Sequence, residues 1–324
     1  MLPLLPHLPL FPHPSHLPLI PRPPHFPHSS MPNSQRPRFA IINGDDFGFS
    51  HGVNQAIIQA HEQGVLTSTS LMVTGDAAEE AIAWARNHPS LAVGLHLVLV
   101  CGQSALPPSQ IPHLVDAMGN FSNSPLQAGL RYQFHPAIRE ELWREIRAQL
   151  KKFHNSGLSL SHVDGHLHLH THPVILRILV ELAPEFDIKV IRLPKEELRL
   201  NLKLDKHNLL TKLAWSGVFG GLRRYGEGLL KAHNISFAEQ VYGLLQTGKM
   251  NEAYLLNLIP QIQADLVEIY SHPAVLKTGE PLNGPPQSGE MELTALLSDQ
   301  VREALSANGF ERINWIDYCN QQHR

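Results

Sequence analysis

The sequence predicts an α/β fold, a distorted (β/α) barrel of the TIM type that forms one domain. From residue 38 onward, short apolar runs alternate with amphipathic helical patterns, which indicates a parallel sheet with helical crossovers. The chain has 324 residues, enough for a barrel of about 250 residues. Hydrophobic residues make up 43% of the chain, which supports a sizeable core. An open doubly wound sheet is the alternative fold, although we find no glycine-rich phosphate loop.

The predicted strands are short runs that are rich in apolar and β-branched residues. We expect them at residues 38–44, 65–73, 91–100, 158–166, 188–194, 264–273 and 310–318. No run reaches the ~18 consecutive apolar residues of a membrane-spanning helix. The sequence therefore predicts a sheet built from buried strands and no membrane span.

The predicted helices have apolar residues on one face and recognisable ends. We expect them at residues 53–64, 76–89, 137–157, 173–183 and 294–309, with a glycine-punctuated helical region at 200–234. Gly64 and Gly157 are expected to end two of these helices. Asp76 is the expected N-cap of the second helix, and Pro173 opens the fourth. Residues 102–135 are rich in Pro, Gly, Ser and Asn, so we expect a long loop near a site.

The first 37 residues differ from the rest of the chain. They carry a proline every two or three residues and no acidic residue. Because proline removes backbone donors and blocks helix formation, this segment cannot supply a signal-peptide core or a membrane helix. We expect residues 1–37 to form a disordered or polyproline-like tail, and the barrel domain to span 38–320. Weak metal binding by the tail histidines is an alternative, as is a start codon placed too early.

Charge and cysteine usage exclude several classes of protein. The net charge is −3 with histidine neutral, so there is no basic field for a nucleic acid. The two cysteines, Cys101 and Cys319, are far apart in the sequence. This argues against a disulfide framework and fits a reducing compartment, so we expect a cytoplasmic protein.

Aspartate or histidine side chains occur late in four predicted strands or directly after them. They are Asp45 and Asp46, His96, Asp164 and His166, and His272. In parallel α/β folds, sites form where the carboxyl ends of the strands meet. We therefore expect these residues to lie at one edge of the sheet.

Two histidines and one carboxylate are a common ligand set for a divalent metal ion. A water molecule bound to such an ion loses a proton near neutral pH and becomes a nucleophile. If Asp46 binds the metal, Asp45 can face the water and act as the general base. The ion would also screen the repulsion between the two neighbouring carboxylates.

Each of these residues also has an ordinary structural explanation. The aspartates of "DDFG" could cap the following helix, and His96 could be a hydrogen-bonded core histidine. In an extended strand, His166, His168 and His170 alternate onto one face. A polar strand end without a metal would show the same pattern. In "SHP", Pro273 could simply begin a helix.

Several segments, in the same order, resemble the YdjC-like carbohydrate deacetylase family, which includes the chitooligosaccharide deacetylases. They are "NGDDFGFSHGVNQAI", "GVLTSTSLMV", "LAVGLHLVL", "SHVDGHLHLHTHP", "VIRLP" and "EIYSHP". The segment "GLHLVLVCGQSALPPSQIPHLVDAMGNF" is similar to the hopanoid-biosynthesis-associated branch, called HpnK. The resemblance covers residues 38–318. It implies a distorted (β/α) barrel that removes an acetyl group from an amino sugar by hydrolysis.

The resemblance also implies a divalent metal ion, with Mg²⁺ expected and Zn²⁺ as the alternative. The implied ligands are Asp46, His96 and His166. The family usually has "DSHHHVH" where this chain has "DGHLHLH", so Leu167 replaces a histidine and either His166 or His168 could be the ligand. The remaining polar residues of this segment could contact metal or substrate; they are His168, His170 and Asp164.

The resemblance implies three catalytic residues. Asp45 is the base, and His272 is the acid that protonates the departing amine. Arg192, in "IRLP", orients the base or the substrate. One departure lies next to the base, where the family usually has Ala and this chain has Gly44. The hopanoid branch often has Asn at the position of Asp164. This departure leaves Asp164 as a possible partner of a metal ligand rather than a ligand itself.

We therefore expect a metal-dependent hydrolase acting on an N-acetylated amino sugar. The substrate would be an oligosaccharide or a glycolipid such as an N-acetylglucosaminyl hopanoid. A metal-dependent phosphoesterase or cyclic-amide hydrolase is an alternative, as is an inactive metal- or sugar-binding module. Trp215, Val218 and Phe219 are candidates for peripheral contact with a membrane, and an ordinary buried helix is the alternative for that region. A homodimer is a further possibility.

Overall fold

The computed structural model describes residues 37–135, 137–281 and 284–322. The predicted tail lies outside the described residues, apart from Pro37, so its disorder stays a prediction. None of the helices in the described ranges has the length and apolar character needed to cross a membrane.

A parallel sheet forms the centre of the fold. The described strands are β1 Arg38–Phe47, β2 Ser68–Leu71, β3 Ala92–Leu97, β4 Leu160–Gly165, β5 Gln240–Tyr242, β6 Leu266–Ser271 and β7 Phe310–Arg312. Their order is β4-β3-β2-β1-β6-β5, with β7 paired to the first residues of β1. All of these strand pairs are parallel. Their carboxyl ends therefore face one side of the domain.

The sheet curls into a half-barrel whose two ends approach each other. Isolated parallel bridges connect Val163 of β4 to Ile191, and Val190 to Ser236, which shortly precedes β5. The segment predicted as a strand at 188–194 is thus present only as single bridges. This arrangement confirms the predicted distorted (β/α) barrel.

Helices cover the outside of the sheet. The described α-helices are α1 His51–Gln63, α2 Ala78–Asn87, α3 Pro125–Phe134, α4 Ile138–Asn155, α5 Pro173–Phe186, α6 Leu198–Leu204, α7 Leu209–Ala232, α8 Glu252–Leu258, α9 Ser288–Leu297, α10 Asp299–Ala307 and α11 Trp315–Gln322. Serine side chains cap several of them: Ser50 accepts the Val53 N–H of α1, and Ser298 accepts the Val301 N–H of α10.

Several predicted boundaries are wrong. Asp76 does not cap α2, whose N-cap is Ala77 and has no side-chain hydrogen bond. The expected loop at 102–135 contains α3, which Ser124 caps through the Gln127 N–H. Ser298 divides the helical pattern at 294–309 into α9 and α10, because it ends one helix and caps the next. The run at 310–318 gives only the three residues of β7 before α11 begins.

Side-chain alternation along β1 separates two hydrophobic clusters. Ala40 and Ile42 point toward the helices and belong to the main core. Phe39 and Ile41 point the other way, into a smaller cluster that includes Trp315. Because strand side chains alternate, the inner face of β1 continues from this apolar cluster into polar residues at the carboxyl end of the strand. The barrel interior is therefore apolar at one end and polar at the other.

Candidate active site

The adjacent aspartates lie at an irregularity in β1. The pairing of β1 with β2 shifts register between Gly44 and Phe47, and Asp46 has a left-handed φ of 66°. In a regular strand, neighbouring side chains point to opposite faces. Here a carboxylate oxygen of Asp45 and one of Asp46 each lie within 4.8 Å of a ring nitrogen of His96. The irregular backbone thus brings both carboxylates to one site.

Asp46 is the centre of a buried carboxylate–histidine cluster. Its Oδ1 lies 2.9 Å from His96 Nε2 and 3.0 Å from His166 Nδ1. Burial opposes ionisation of Asp46, but the charges and hydrogen bonds of His166 and His96 outweigh it and hold the pKa of the carboxyl well below its usual range. The structure therefore brings together the three residues expected to bind a metal.

His96 is fixed on its other side by Asp164. Nδ1 of His96 lies 2.8 Å from Asp164 Oδ1 and 3.2 Å from Ser70 Oγ. Because an ionised carboxylate only accepts hydrogen bonds, Nδ1 carries a proton that it donates to Asp164, and the other ring nitrogen, Nε2, is turned toward Asp46. Burial lowers the pKa of His96, but the attraction of Asp164 and Asp46 outweighs burial and raises it well above the usual value. A site that attracts a proton this strongly also favours a metal cation.

Arg192 is a fully buried guanidinium that joins three carboxylates. It donates to both oxygens of Asp45, at 2.7 and 2.8 Å, and to Glu268 Oε1 at 2.7 Å. Its NH2 also lies 2.9 Å from Asp164 Oδ2. Burial disfavours the guanidinium charge, but these carboxylates outweigh burial and raise the pKa of Arg192 further. The bidentate pair fixes the Asp45 carboxylate, which also accepts a hydrogen bond from Asn43.

His272 approaches the cluster from the loop that follows β6. Its Nε2 lies 4.0 Å from Asp46 Oδ2, and its side chain is 21% exposed. The backbone N–H of His272 donates to Glu292 Oε2 at 2.6 Å. His272 is thus a partly accessible imidazole beside a buried carboxylate cluster.

The expected alternation of three histidines on one strand face is wrong. Strand β4 stops at Gly165, and residues His166–Thr171 form a 3-10 turn in which Leu167 and His168 have left-handed φ values. As a result, His166 faces Asp46, whereas His168 Nε2 lies 2.8 Å from the Tyr270 hydroxyl. His170 Nε2 lies 2.9 Å from the Arg192 carbonyl oxygen. Burial lowers the pKa of His170 to about 4.

Sequence reasoning missed several residues of this site. The missed residues are Asn43, Ser70, Glu268, Tyr270 and Glu292. One signal was available, because Glu268 is a charged residue between apolar neighbours in the middle of a predicted strand, and buried charges are nearly always paired. Asn43, Ser70 and Tyr270 are uncharged strand residues, and Glu292 lies on a helix that is remote from most of the site in sequence. None of these four gave such a signal.

Glu268 predicts a pH dependence of stability. Burial raises its pKa from an ordinary value of 4.5 to about 7, despite the attraction of Arg192. Its contribution to stability is therefore complete below pH 4.5 and is lost as the pH rises through 7. Relative to Glu268→Gln, the chelator-treated wild-type chain should lose on the order of 3 kcal/mol of unfolding free energy across this range. Urea unfolding of both proteins at several pH values measures this difference, and parallel curves would contradict it.

The ligand chemistry of the cluster fits a divalent cation. Asp46, His96 and His166 provide one carboxylate oxygen and two imidazole nitrogens within 4.8 Å of one another. A second combination, Asp45 with His96 and Asp164, is equally compact, but Arg192 already occupies both of its carboxylates. The first set is therefore the better site for a cation. Imidazole suits Zn²⁺ and related ions, whereas Mg²⁺ prefers oxygen ligands.

The fold and site define a parallel α/β barrel protein with an Asp/His cluster at the carboxyl end of its strands. The family model described as YdjC-like protein matches residues 39–307. The chain belongs to this family.

Curated relatives carry the name carbohydrate deacetylase. The protein from Vibrio cholerae is 32% identical over 272 residues, which is 84% of this chain and 92% of the relative. That from Geobacillus stearothermophilus is 37% identical over 206 residues, covering 63% and 75%. That from Brevibacillus brevis is 47% identical over 153 residues, covering 46% of this chain and 57% of the relative. The last alignment thus spans little more than half of the relative's own length.

A solved structure from Enterococcus faecalis V583 has the same fold. It superimposes with a TM-score of 0.66 at 24% identity, covering 87% of this chain and 99% of that chain. This similarity supports the barrel assignment.

Proposed function

We propose that this protein is a metal-dependent carbohydrate deacetylase that hydrolyses the acetamide of an N-acetylated amino sugar. The convergence of Asp45, Asp46, His96, His166 and His272 at one edge of the sheet is the observation that carries this proposal. The curated names of the relatives support the same reaction and substrate class.

The proposed metal ligands are Asp46, His96 and His166. A divalent cation held by them would polarise the acetamide carbonyl and make water a better nucleophile. Asp164 holds His96 in the tautomer that leaves Nε2 directed at the cluster. His168 and His170 are directed at Tyr270 and Arg192 instead, so we assign them a supporting role.

The proposed acid and base lie near the same cluster. Asp45 accepts the proton of the attacking water, while Arg192 keeps its carboxylate in place. The water oxygen bonds to the acetyl carbon, and the carbon–nitrogen bond then breaks. His272 is the partly exposed imidazole that gives a proton to the departing amine, so the products are acetate and a free amino sugar.

We further propose a glycolipid substrate of the N-acetylglucosaminyl hopanoid type, encountered in the cytoplasm. Two observations support it. The segment from Gly94 to Phe121 resembles the hopanoid-associated branch of the family. Exposed apolar side chains also occur on helices near the site, as in Leu126 of α3 and Leu210 of α7. A soluble oligosaccharide is the alternative substrate.

Acetate release tests this proposal. Purified protein should release acetate from chitooligosaccharides or from an N-acetylated glycolipid extract, and a chelator should abolish the release. The ion is identified by whether Mg²⁺ or Zn²⁺ restores acetate release to the chelator-treated protein. The substrate class is identified by whether chitooligosaccharides or the glycolipid extract gives the faster release. Release that persists in the chelator would refute the role of the metal. Absence of acetate from every acetylated sugar would refute the deacetylase activity.

A further inference from the structure

Exposed apolar side chains are concentrated on three neighbouring elements. Twelve large hydrophobic side chains are exposed among the described residues, and nine of them lie on α3, on the 3-10 turn or on the first half of α7. We call these nine side chains the apolar rim. Its most exposed members are Leu126 at 74%, Phe134 at 75%, Leu210 at 83% and Val218 at 59%. An apolar patch of this kind marks an interaction site rather than ordinary surface.

Both helices of the apolar rim are anchored at the site. The hydroxyl of Tyr132 in α3 donates to the carbonyl oxygen of Leu99, two residues beyond β3. In α7, the Phe219 ring lies 5.7 Å from the ring of His168 in the 3-10 turn, and the Trp215 ring lies 6.3 Å from Phe219. The turn itself contributes exposed Leu167 next to His166. A partner bound to the rim would therefore lie beside the substrate.

The charges around α7 indicate the chemistry of that partner. Residues 198–226 expose Arg199, Lys203, Lys206 and Arg224. The acidic residue in this stretch, Asp205, already accepts a hydrogen bond from Lys212, and Glu227, the acidic residue of α7, accepts one from Arg223. Exposed Leu and Trp side chains flanked by basic residues are typical of helices that lie in the headgroup region of a membrane. A basic segment is also attracted to anionic lipid.

We propose that the apolar rim docks on an anionic lipid surface, which places the site next to membrane-borne substrate. This inference rests on the proposed function, because it supplies the route by which a glycolipid would reach the site. A second copy of the chain would be a less suitable partner, since a symmetric contact would bring two copies of the basic segment 198–226 close together, and like charges repel.

Vesicle flotation of the full-length chain tests the docking. The protein should float with phosphatidylcholine vesicles that contain phosphatidylglycerol, and less with phosphatidylcholine alone. The double variant Leu210→Asp, Val218→Asp should bind at least about tenfold more weakly, because buried apolar area is lost. The variant Lys203→Gln should bind about fivefold more weakly, but only to the anionic vesicles.

Met291→Asp is the matched control. Met291 is 44% exposed on α9, outside the apolar rim, so this variant should float like the wild type. Thermal unfolding of each variant shows whether the fold is retained. The inference is overturned if the folded wild type does not bind anionic vesicles, or if Met291→Asp weakens binding as much as the rim variant does. It is also overturned if the rim variant only converts a dimer to a monomer. Flotation needs no acetylated sugar, so a chain that binds vesicles and releases no acetate would refute only the proposed function.

Discussion

Asp45→Asn is expected to slow acetate release by about 10²–10⁴-fold without removing the metal, the range typical of losing a general base. Asparagine has nearly the shape of aspartate and can still accept a hydrogen bond from Arg192, but it cannot take a proton from water. The ligand cluster of Asp46, His96 and His166 is left intact. Single-turnover rates and metal content of the purified variant, measured on the same sample, test the prediction.

Asp46→Asn is the comparison variant for that experiment. Asp46 contacts both His96 and His166, so its loss should lower metal content and activity together. If Asp45→Asn loses its metal and Asp46→Asn keeps it, the roles of the two aspartates are exchanged. If neither variant loses activity, the site lies elsewhere.

Arg192→Leu is expected to lower the free energy of unfolding by about 3–5 kcal/mol, the cost typical of breaking a buried ion pair. The guanidinium is the cation that Asp45, Asp164 and Glu268 share, and all of these groups are buried. Leucine would leave the carboxylates without it and force protonation or water entry. Urea unfolding of the two proteins at neutral pH measures the difference.

A surface arginine provides the matched control for Arg192→Leu. Arg147 also makes a bidentate pair, with Glu185, but its side chain is 39% exposed and that of Glu185 is 42% exposed. Arg147→Leu should therefore lower the free energy of unfolding far less than Arg192→Leu does, because solvent screens an exposed ion pair. Equal losses in the two variants would show that burial does not strengthen the Arg192 network.

The edge of the sheet that carries the polar residues could be predicted from sequence, because parallel strands all end on one side. Asp46 and His96 lie on two different strands and His272 directly follows a third, and the structure places both histidines beside the Asp46 carboxylate. Residue types and strand order were sufficient for that expectation. They were insufficient for Glu268. Its partner Arg192 lies 76 residues away in the sequence, and only the curvature of the folded sheet brings the two side chains together.

The path of the chain after β4 could not be predicted from side-chain alternation. The pattern of His166, His168 and His170 fits a strand, yet the backbone turns at Leu167 and His168 with left-handed φ values. Such values are uncommon for residues other than glycine, so sequence gives little warning of them. The turn leads directly to Pro173, which begins α5. Tertiary context therefore overrode a local pattern.

The irregularity between Gly44 and Phe47 has a consequence for how relatives are compared. Two consecutive carboxylates reach one site only because the backbone departs from strand geometry at Asp46. A homologue could retain both aspartates and every histidine, yet direct one acid into the core after a one-residue insertion or deletion there. A comparison based only on identical site residues would classify the active site of that homologue as intact. The spacing of this short segment is therefore a better criterion for an active member than the presence of the aspartates.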